Sequence, residues 1–140
     1  MTNLVVDASV AVKWLVPERH AEAAIRALSR DYSLLAPDLI WAEVGNALWT
    51  KWRRGEIREE EASRLLKDFR RFPLKIYASH GLLNLAWNVA ARFGRSLSDS
   101  LYLALADHMG CQLVTADRRL HRTLERSTLG AGLLWVEDLP

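Results

Sequence analysis

The chain has 140 residues, of which 50% are hydrophobic and 26% charged, and its formal net charge is +2. This length and composition predict one domain with a substantial core and argue against a disordered chain. No apolar run approaches the roughly 20 residues that cross a bilayer, so a membrane protein is not expected. The single cysteine excludes an internal disulfide and favours a reducing, cytoplasmic location.

Short apolar runs, typical of buried strands, alternate with runs of helical spacing in the first half of the chain. Pro17, Pro37 and Gly55 mark ends of elements. Asp38 stands where an N-cap of the longest helix is expected. In chain order the pattern predicts a strand at residues 4–6, helices at 8–15 and 20–29, a strand at 33–36, and helices at 39–54 and 59–72.

The same alternation continues in the second half. Ser98 is expected to cap a nearly all-apolar helix, and Gly94 and Gly110 are expected to end two helices. The predicted elements are a strand at 74–77, helices at 79–93 and 99–109, a strand at 112–115, a helix at 117–126 and a strand at 133–136. Strands that alternate with helices pair in parallel through right-handed crossovers, which indicates an α/β protein with helices on both faces of one sheet.

Three aspartates stand at boundaries of the predicted elements. Asp7 follows the first strand, Asp117 follows the fourth, and Asp99 falls in the first turn of the apolar helix. Aspartate is a favoured helix-capping residue, so each of the three also has an ordinary structural explanation. Ligands of open parallel sheets bind beyond the carboxyl ends of the strands, where Asp7 and Asp117 are expected to meet.

Glu43 is harder to explain structurally, because it lies beyond the first turn of its predicted helix. It falls on the apolar stripe that contains Ile40, Val44 and Ala47. A carboxylate there must reach a cleft, pair with a base or bind a cation, since burying it alone is costly. A snorkelling or arginine-paired glutamate is the alternative interpretation.

Four acids in one cleft would repel one another and raise each other's pKa unless a cation neutralised them. Carboxylate oxygens suit Mg²⁺ or Mn²⁺, and such ions activate water and stabilise a phosphodiester under attack. The four histidines are scattered along the chain, so zinc is not indicated. The residues therefore favour a Mg²⁺ or Mn²⁺ site formed by Asp7, Glu43, Asp99 and Asp117.

Four segments in this order resemble the PIN-domain family, and within it the VapC toxins of toxin–antitoxin pairs. The segments are LVVDASVAVKWL, PDLIWAEVGNAL, SLSDSLYLALA and QLVTAD, and each contains one of the four acids. The resemblance implies a single PIN domain over residues 1–140, an α/β/α sandwich with a five-stranded parallel sheet. It also implies a Mg²⁺- or Mn²⁺-dependent endoribonuclease that acts as a toxin, forms a homodimer and is inhibited by an antitoxin protein.

The resemblance also implies roles for the acids when they are carried over position by position. Asp7 and Asp99 would be the most direct metal ligands. Glu43 and Asp117 would complete the site or hold metal-bound water. All four would then be catalytic as well as metal-binding residues, and the sequence does not single out the acid that orients the attacking water.

Other polar residues match positions beside the acids. Ser9 and Thr115 would aim the carboxylates through hydrogen bonds, although a local cap and a strand filler are their ordinary explanations. Asn46 stands one turn after Glu43 and would support that residue or contact RNA.

Basic and aromatic residues indicate surfaces for partners. Arg118, Arg119 and Arg122 follow the last acid directly and are the bases best placed to meet RNA phosphates. Trp49 and Trp52 flank basic residues on the longest helix. Core packing explains most of the tryptophans, but these two would also form part of a groove for an antitoxin helix or a dimer partner.

Two other functions remain compatible with these residues. One is a Mg²⁺-dependent phosphatase with an aspartyl nucleophile, although such enzymes usually carry a second aspartate where this chain has Ser9. The other is a PIN-like domain that binds RNA or protein without cutting. The presence of all four acids argues against this second alternative.

Overall fold

Short runs of buried aliphatic residues form the strands of the computed structural model, which describes residues 1–140. All five strands pair in parallel, in the order β3-β2-β1-β4-β5. They are β1 (Thr2–Val6), β2 (Tyr32–Pro37), β3 (Leu74–Tyr77), β4 (Gln112–Thr115) and β5 (Leu133–Trp135). Because the order reverses at the central strand β1, right-handed crossovers place helices on both faces. The expected five-stranded parallel α/β fold is confirmed.

Seven α-helices connect the strands, and each falls within a predicted helical run except that one begins two residues earlier than predicted. They are α1 (Ala8–Ala11), α2 (Ala21–Ile25), α3 (Leu39–Arg53), α4 (Glu59–Phe69), α5 (Leu83–Phe93), α6 (Leu97–Met109) and α7 (Arg118–Leu124). Short 3₁₀ turns continue α1 and α2 and precede α5. The helical spacing of the sequence therefore predicted these segments as helical but did not distinguish α-helix from 3₁₀ turns.

One core of 33 buried hydrophobic residues lies between the sheet and the helices. Helix α6 contributes most, since every residue from Ser100 to Ala106 is buried, as its apolar sequence predicts. It contacts the three central strands β1, β2 and β4. This position of α6 brings its N-terminal end to the edge of the sheet where β1 and β4 finish. No helix is both long and apolar enough to span a bilayer.

Two of the predicted caps are wrong. Ser96, not Ser98, caps α6, because its hydroxyl accepts the N–H of Asp99 at 3.1 Å. Asp38 precedes α3 but has helical backbone angles (φ −61°, ψ −18°), whereas a capping side chain needs extended backbone to reach the first turn. Its carboxylate instead accepts hydrogen bonds from the backbone and hydroxyl of Ser79. Gly94 ends α5 with a left-handed φ of 68°, as predicted.

Candidate active site

A cleft of about 210 Å³ opens at the carboxyl edge of the sheet. Asp7 follows β1 and Asp117 follows β4, so the parallel pairing of these two neighbouring strands brings both acids to one edge. Helix α3 supplies Glu43, and the first turn of α6 supplies Asp99. All four predicted acids line the cleft, together with Ala8, Ser9, Tyr102 and Leu120.

Asp7 is the most buried of the four acids, with 7% of its surface exposed. The hydroxyls of Ser9 and Thr115 donate to its Oδ1 and Oδ2, each at 2.5 Å, and the N–H of Val10 donates to Oδ1 at 3.2 Å. Burial raises the pKa of Asp7 to about 6, nearby Asp117 adds to the rise, and the three hydrogen bonds oppose it. The three hydrogen bonds therefore hold the side chain in place and partly offset the penalty that burial imposes on its charge.

Both hydroxyls are placed where the resemblance expects them. Thr115 is fully buried, and its oxygen also accepts the N–H of Asp117 at 3.0 Å. The oxygen of Ser9 accepts the N–H of Ala116 at 2.9 Å. Each hydroxyl thus links the end of β1 to the end of β4, which neither a local cap nor a strand filler would do.

Glu43 is held by Tyr102, a cleft residue that the sequence analysis missed. The Tyr102 hydroxyl donates to Glu43 Oε1 at 2.6 Å. Burial raises the pKa of Glu43, the hydrogen bond from Tyr102 opposes that rise, and the charge of Asp99 adds to it. Burial, together with the contact to Glu43, also raises the pKa of Tyr102, so the phenol remains a donor.

Replacing Tyr102 with phenylalanine is expected to raise the pKa of Glu43 further, because the charged carboxylate loses its only donor. An NMR titration of the glutamate side-chain carboxyls in the cation-free protein measures the change. Tyr77→Phe is a matched control, since the Tyr77 hydroxyl makes no hydrogen bond and lies on strand β3. An unchanged or lower Glu43 pKa in Tyr102→Phe would contradict the role given to the phenol.

Asp99 is paired with Arg95, a second residue that the sequence analysis did not identify. Nη2 of Arg95 lies 2.8 Å from Oδ2 of Asp99, and 17% of the arginine side chain is exposed. Six ion pairs occur in the structure, and this is the only one that involves a cleft acid. The pair places one positive charge beside an acid of the cleft.

Asp117 performs the ordinary role of a cap as well as lining the cleft. Its Oδ1 accepts the N–H of Leu120 at 3.1 Å and so caps α7. Asp7 caps α1 in the same way through Val10. Capping and a place in the cleft therefore coexist in both residues, because the helix starts and the strand ends lie at one edge.

Several predicted residues lie outside the cleft. Asn46 is exposed and makes no hydrogen bond, so the structure does not bring it to Glu43. Position 46 is rotated around the helix by about 60° from position 43, which turns it toward solvent.

Three predicted RNA-contacting bases are exposed on the helix that follows the last acid and do not line the cleft: Arg118, Arg119 and Arg122. The guanidinium of the first of these lies 3.9 Å from the centre of the Trp135 ring.

The cleft provides oxygen donors that fit a hard divalent cation. One oxygen each of Glu43, Asp99 and Asp117 accepts no hydrogen bond from the protein. No three acid, histidine or cysteine side chains converge closely enough to form a complete ligand cluster. This spacing is compatible with Mg²⁺, which keeps several water ligands and binds through one or two carboxylates.

Comparisons with known proteins show the family to which this chain belongs. The family model described as PIN domain matches residues 4–125, a range that includes all four acids. Ribonuclease VapC3 of Pyrobaculum aerophilum is 41% identical over 120 residues, which cover 84% of this chain and 92% of that protein. The crystal structure of PAE2754 from Pyrobaculum aerophilum has a TM-score of 0.73 and 30% identity, covering 99% of this chain and 86% of that chain.

A toxin–antitoxin complex from Klebsiella pneumoniae contains a chain of similar fold. The TM-score is 0.65, and the alignment covers 94% of this chain and 95% of that chain. Its sequence identity is 14%, so the likeness concerns the fold alone.

Proposed function

This chain belongs to the PIN-domain family, with VapC ribonucleases among its relatives, and from that premise we propose that it is a metal-dependent endoribonuclease. We further propose that it acts as the toxin of a toxin–antitoxin module. The observation that carries the proposal is the cleft itself. Four carboxylates from four different elements line it, and each is held by a specific hydrogen bond or ion pair.

The four acids, Asp7, Glu43, Asp99 and Asp117, would hold Mg²⁺ or Mn²⁺, one or two of them by direct contact and the others through the water ligands of the ion. When bound, such an ion supplies Lewis acidity and an activated water for attack on a phosphodiester. The donors around the cleft fix one oxygen of three of the acids and leave the other oxygen free. Fixed donors of this kind reduce the reorganisation that cation and substrate binding would otherwise require.

The side chains of the cleft also suit proton transfer. Burial raises the pKa values of both Asp7 and Glu43, which makes both carboxylates better proton acceptors. Glu43 is the more exposed of the two and keeps Oε2 free, so it is our choice for the residue that orients and deprotonates the attacking water.

The substrate is proposed to be an RNA loop or exposed single strand, because duplex RNA hides its base edges. The exposed Arg118, Arg119 and Arg122 directly follow the cleft acid Asp117 and would contact RNA phosphates. Stacking on Trp135 restricts the guanidinium of the first of these.

The partners proposed here are an antitoxin protein and a second copy of the chain. Trp49 of α3 and Leu66 of α4 are 57% and 40% exposed, on two helices that pack together. Basic residues flank both helices, and an amphipathic antitoxin helix with acidic residues would fit such a surface. Exposed Trp87 and Leu83 on α5 offer a separate apolar surface for a homodimer.

Incubation of the purified protein with a mixture of structured RNAs tests the proposal. Discrete fragments are expected in Mg²⁺ or Mn²⁺ and none in chelator, because the carboxylates alone repel the phosphodiester. Undiminished cutting in chelator would overturn the metal dependence. Hydrolysis of a small phosphate ester without RNA cleavage would favour the phosphatase, and RNA binding without cation binding or cleavage would favour a non-catalytic domain.

A further inference from the structure

Arg95 pairs with the cleft acid Asp99 from a position that costs stability. It directly precedes Ser96, the N-cap of the 13-residue helix α6, where the helix dipole disfavours a positive charge. Its side chain is largely buried, and its Nε is buried without a hydrogen-bond acceptor. Both features are unfavourable for an arginine. The contact with Asp99 is the only ion pair or side-chain hydrogen bond of Arg95 that offsets them.

The geometry of this pair leaves Asp99 able to bind a cation. Arg95 contacts Oδ2 alone, and Oδ1 accepts no hydrogen bond. Tyr102 holds Glu43 by one oxygen in the same manner. The two hydrogen-bond donors differ in charge: the phenol is neutral, whereas the guanidinium is always positive.

That charge has opposite effects on the carboxylates and on a divalent cation. In the cation-free cleft it reduces the repulsion among the four acids. A divalent cation held by Asp99 would be repelled by the guanidinium that contacts the same carboxylate. Arg95 therefore orients a ligand of the cation and at the same time opposes its binding.

We propose that Arg95 is a positioning residue and resident counter-ion that sets the divalent-cation affinity of the cleft below the value that the four carboxylates alone would give. The proposal rests on the metal-dependent function proposed above. Its consequence is that RNA strengthens cation binding. A phosphodiester entering the cleft adds the negative charge that offsets the guanidinium, so cation and substrate bind cooperatively.

Calorimetric titration of the whole, RNA-free protein with Mn²⁺ tests this proposal. Arg95→Gln keeps a hydrogen-bond donor but removes the charge, and it is expected to bind Mn²⁺ roughly tenfold more tightly or better than the wild type. Arg95→Lys keeps the charge and is expected to restore the wild-type affinity. Arg92→Gln removes an exposed arginine on α5, outside the cleft, and is expected to change nothing.

The outcomes separate this proposal from the proposed function. Mn²⁺ binding by the wild type with equal or weaker binding by Arg95→Gln would overturn the counter-ion role and leave the metal site standing. Absence of Mn²⁺ binding in every variant would overturn the metal-dependent function and this inference with it. Thermal unfolding of each variant confirms that it is folded, and Arg95→Met provides a second neutral variant if the glutamine variant misfolds.

Discussion

Replacing Asp99 with asparagine is expected to lower the rate of RNA cleavage roughly 100-fold or more while the protein stays folded. The amide cannot offer a negatively charged oxygen to a cation. It still accepts a hydrogen bond from Arg95, and the backbone N–H of residue 99 still donates to Ser96, so the start of α6 is preserved. Initial cleavage rates of a labelled RNA measure the loss, and circular dichroism confirms the fold.

The same helix provides the control for this substitution. Asp107 is an exposed aspartate of α6 that does not line the acidic cleft. Asp107→Asn removes the same charge from the same helix and is expected to leave the cleavage rate unchanged. Full activity of Asp99→Asn would show that cleavage does not require the Asp99 carboxylate. Equal losses of activity in both variants would indicate a non-specific effect of charge.

Replacing Asp7 with asparagine is expected to stabilise the cation-free protein by up to about 3 kcal/mol at pH 7. Burial raises the pKa of Asp7 from 3.8 to about 6, so ionisation is less favourable in the folded than in the unfolded state. Between about pH 4 and pH 6 the unfolded chain loses its proton first, and the wild type loses stability as the pH rises through that window. Asparagine does not ionise and escapes this loss, and the hydroxyls of Ser9 and Thr115 have free lone pairs for its amide.

Urea unfolding in chelator at pH 4 and pH 7 measures the effect. The two proteins should differ little at pH 4, where Asp7 is largely protonated in the folded state, and the gain should appear by pH 7. Asp107→Asn again serves as the control for replacing an exposed aspartate. Equal free energies of unfolding for the wild type and Asp7→Asn at pH 7 would show that burial of Asp7 carries no charge penalty.

Most of the fold follows from local sequence signals. Two strands, at residues 74–77 and 112–115, were predicted with the bounds that the structure gives, because each is a short apolar run with helical runs on both sides. The starts of helices were harder to predict. Ser96 and Asp99 have the spacing of a capping box, a signal that favours Ser96 over Ser98 and that the sequence analysis did not use.

The sequence identified site residues in two situations. One is a residue whose type is unexpected at its position, and the other is a pair of like residues at equivalent positions. Glu43 stood out as a charge on an apolar stripe, and Asp7 and Asp117 stood at equivalent strand ends. Tyr102 lies within an apolar helix and resembled core, although a buried phenol requires a hydrogen-bond partner and this requirement is a usable signal. Arg95 stands four residues before Asp99, a spacing that favours ion pairs on helices, but residue 95 precedes α6 and this signal was not used.

Hydrogen bonds across the end of the central strand also bear on how the protein is made. The bond between Thr115 and Asp7 joins residues 108 positions apart, and it forms only when β4 pairs with β1. A ribosome must therefore synthesise most of the chain before these groups can meet, and such long-range closure is slow compared with local pairing. An incomplete nascent chain therefore has no assembled cleft, and the four acids come together only after most of the chain has been made.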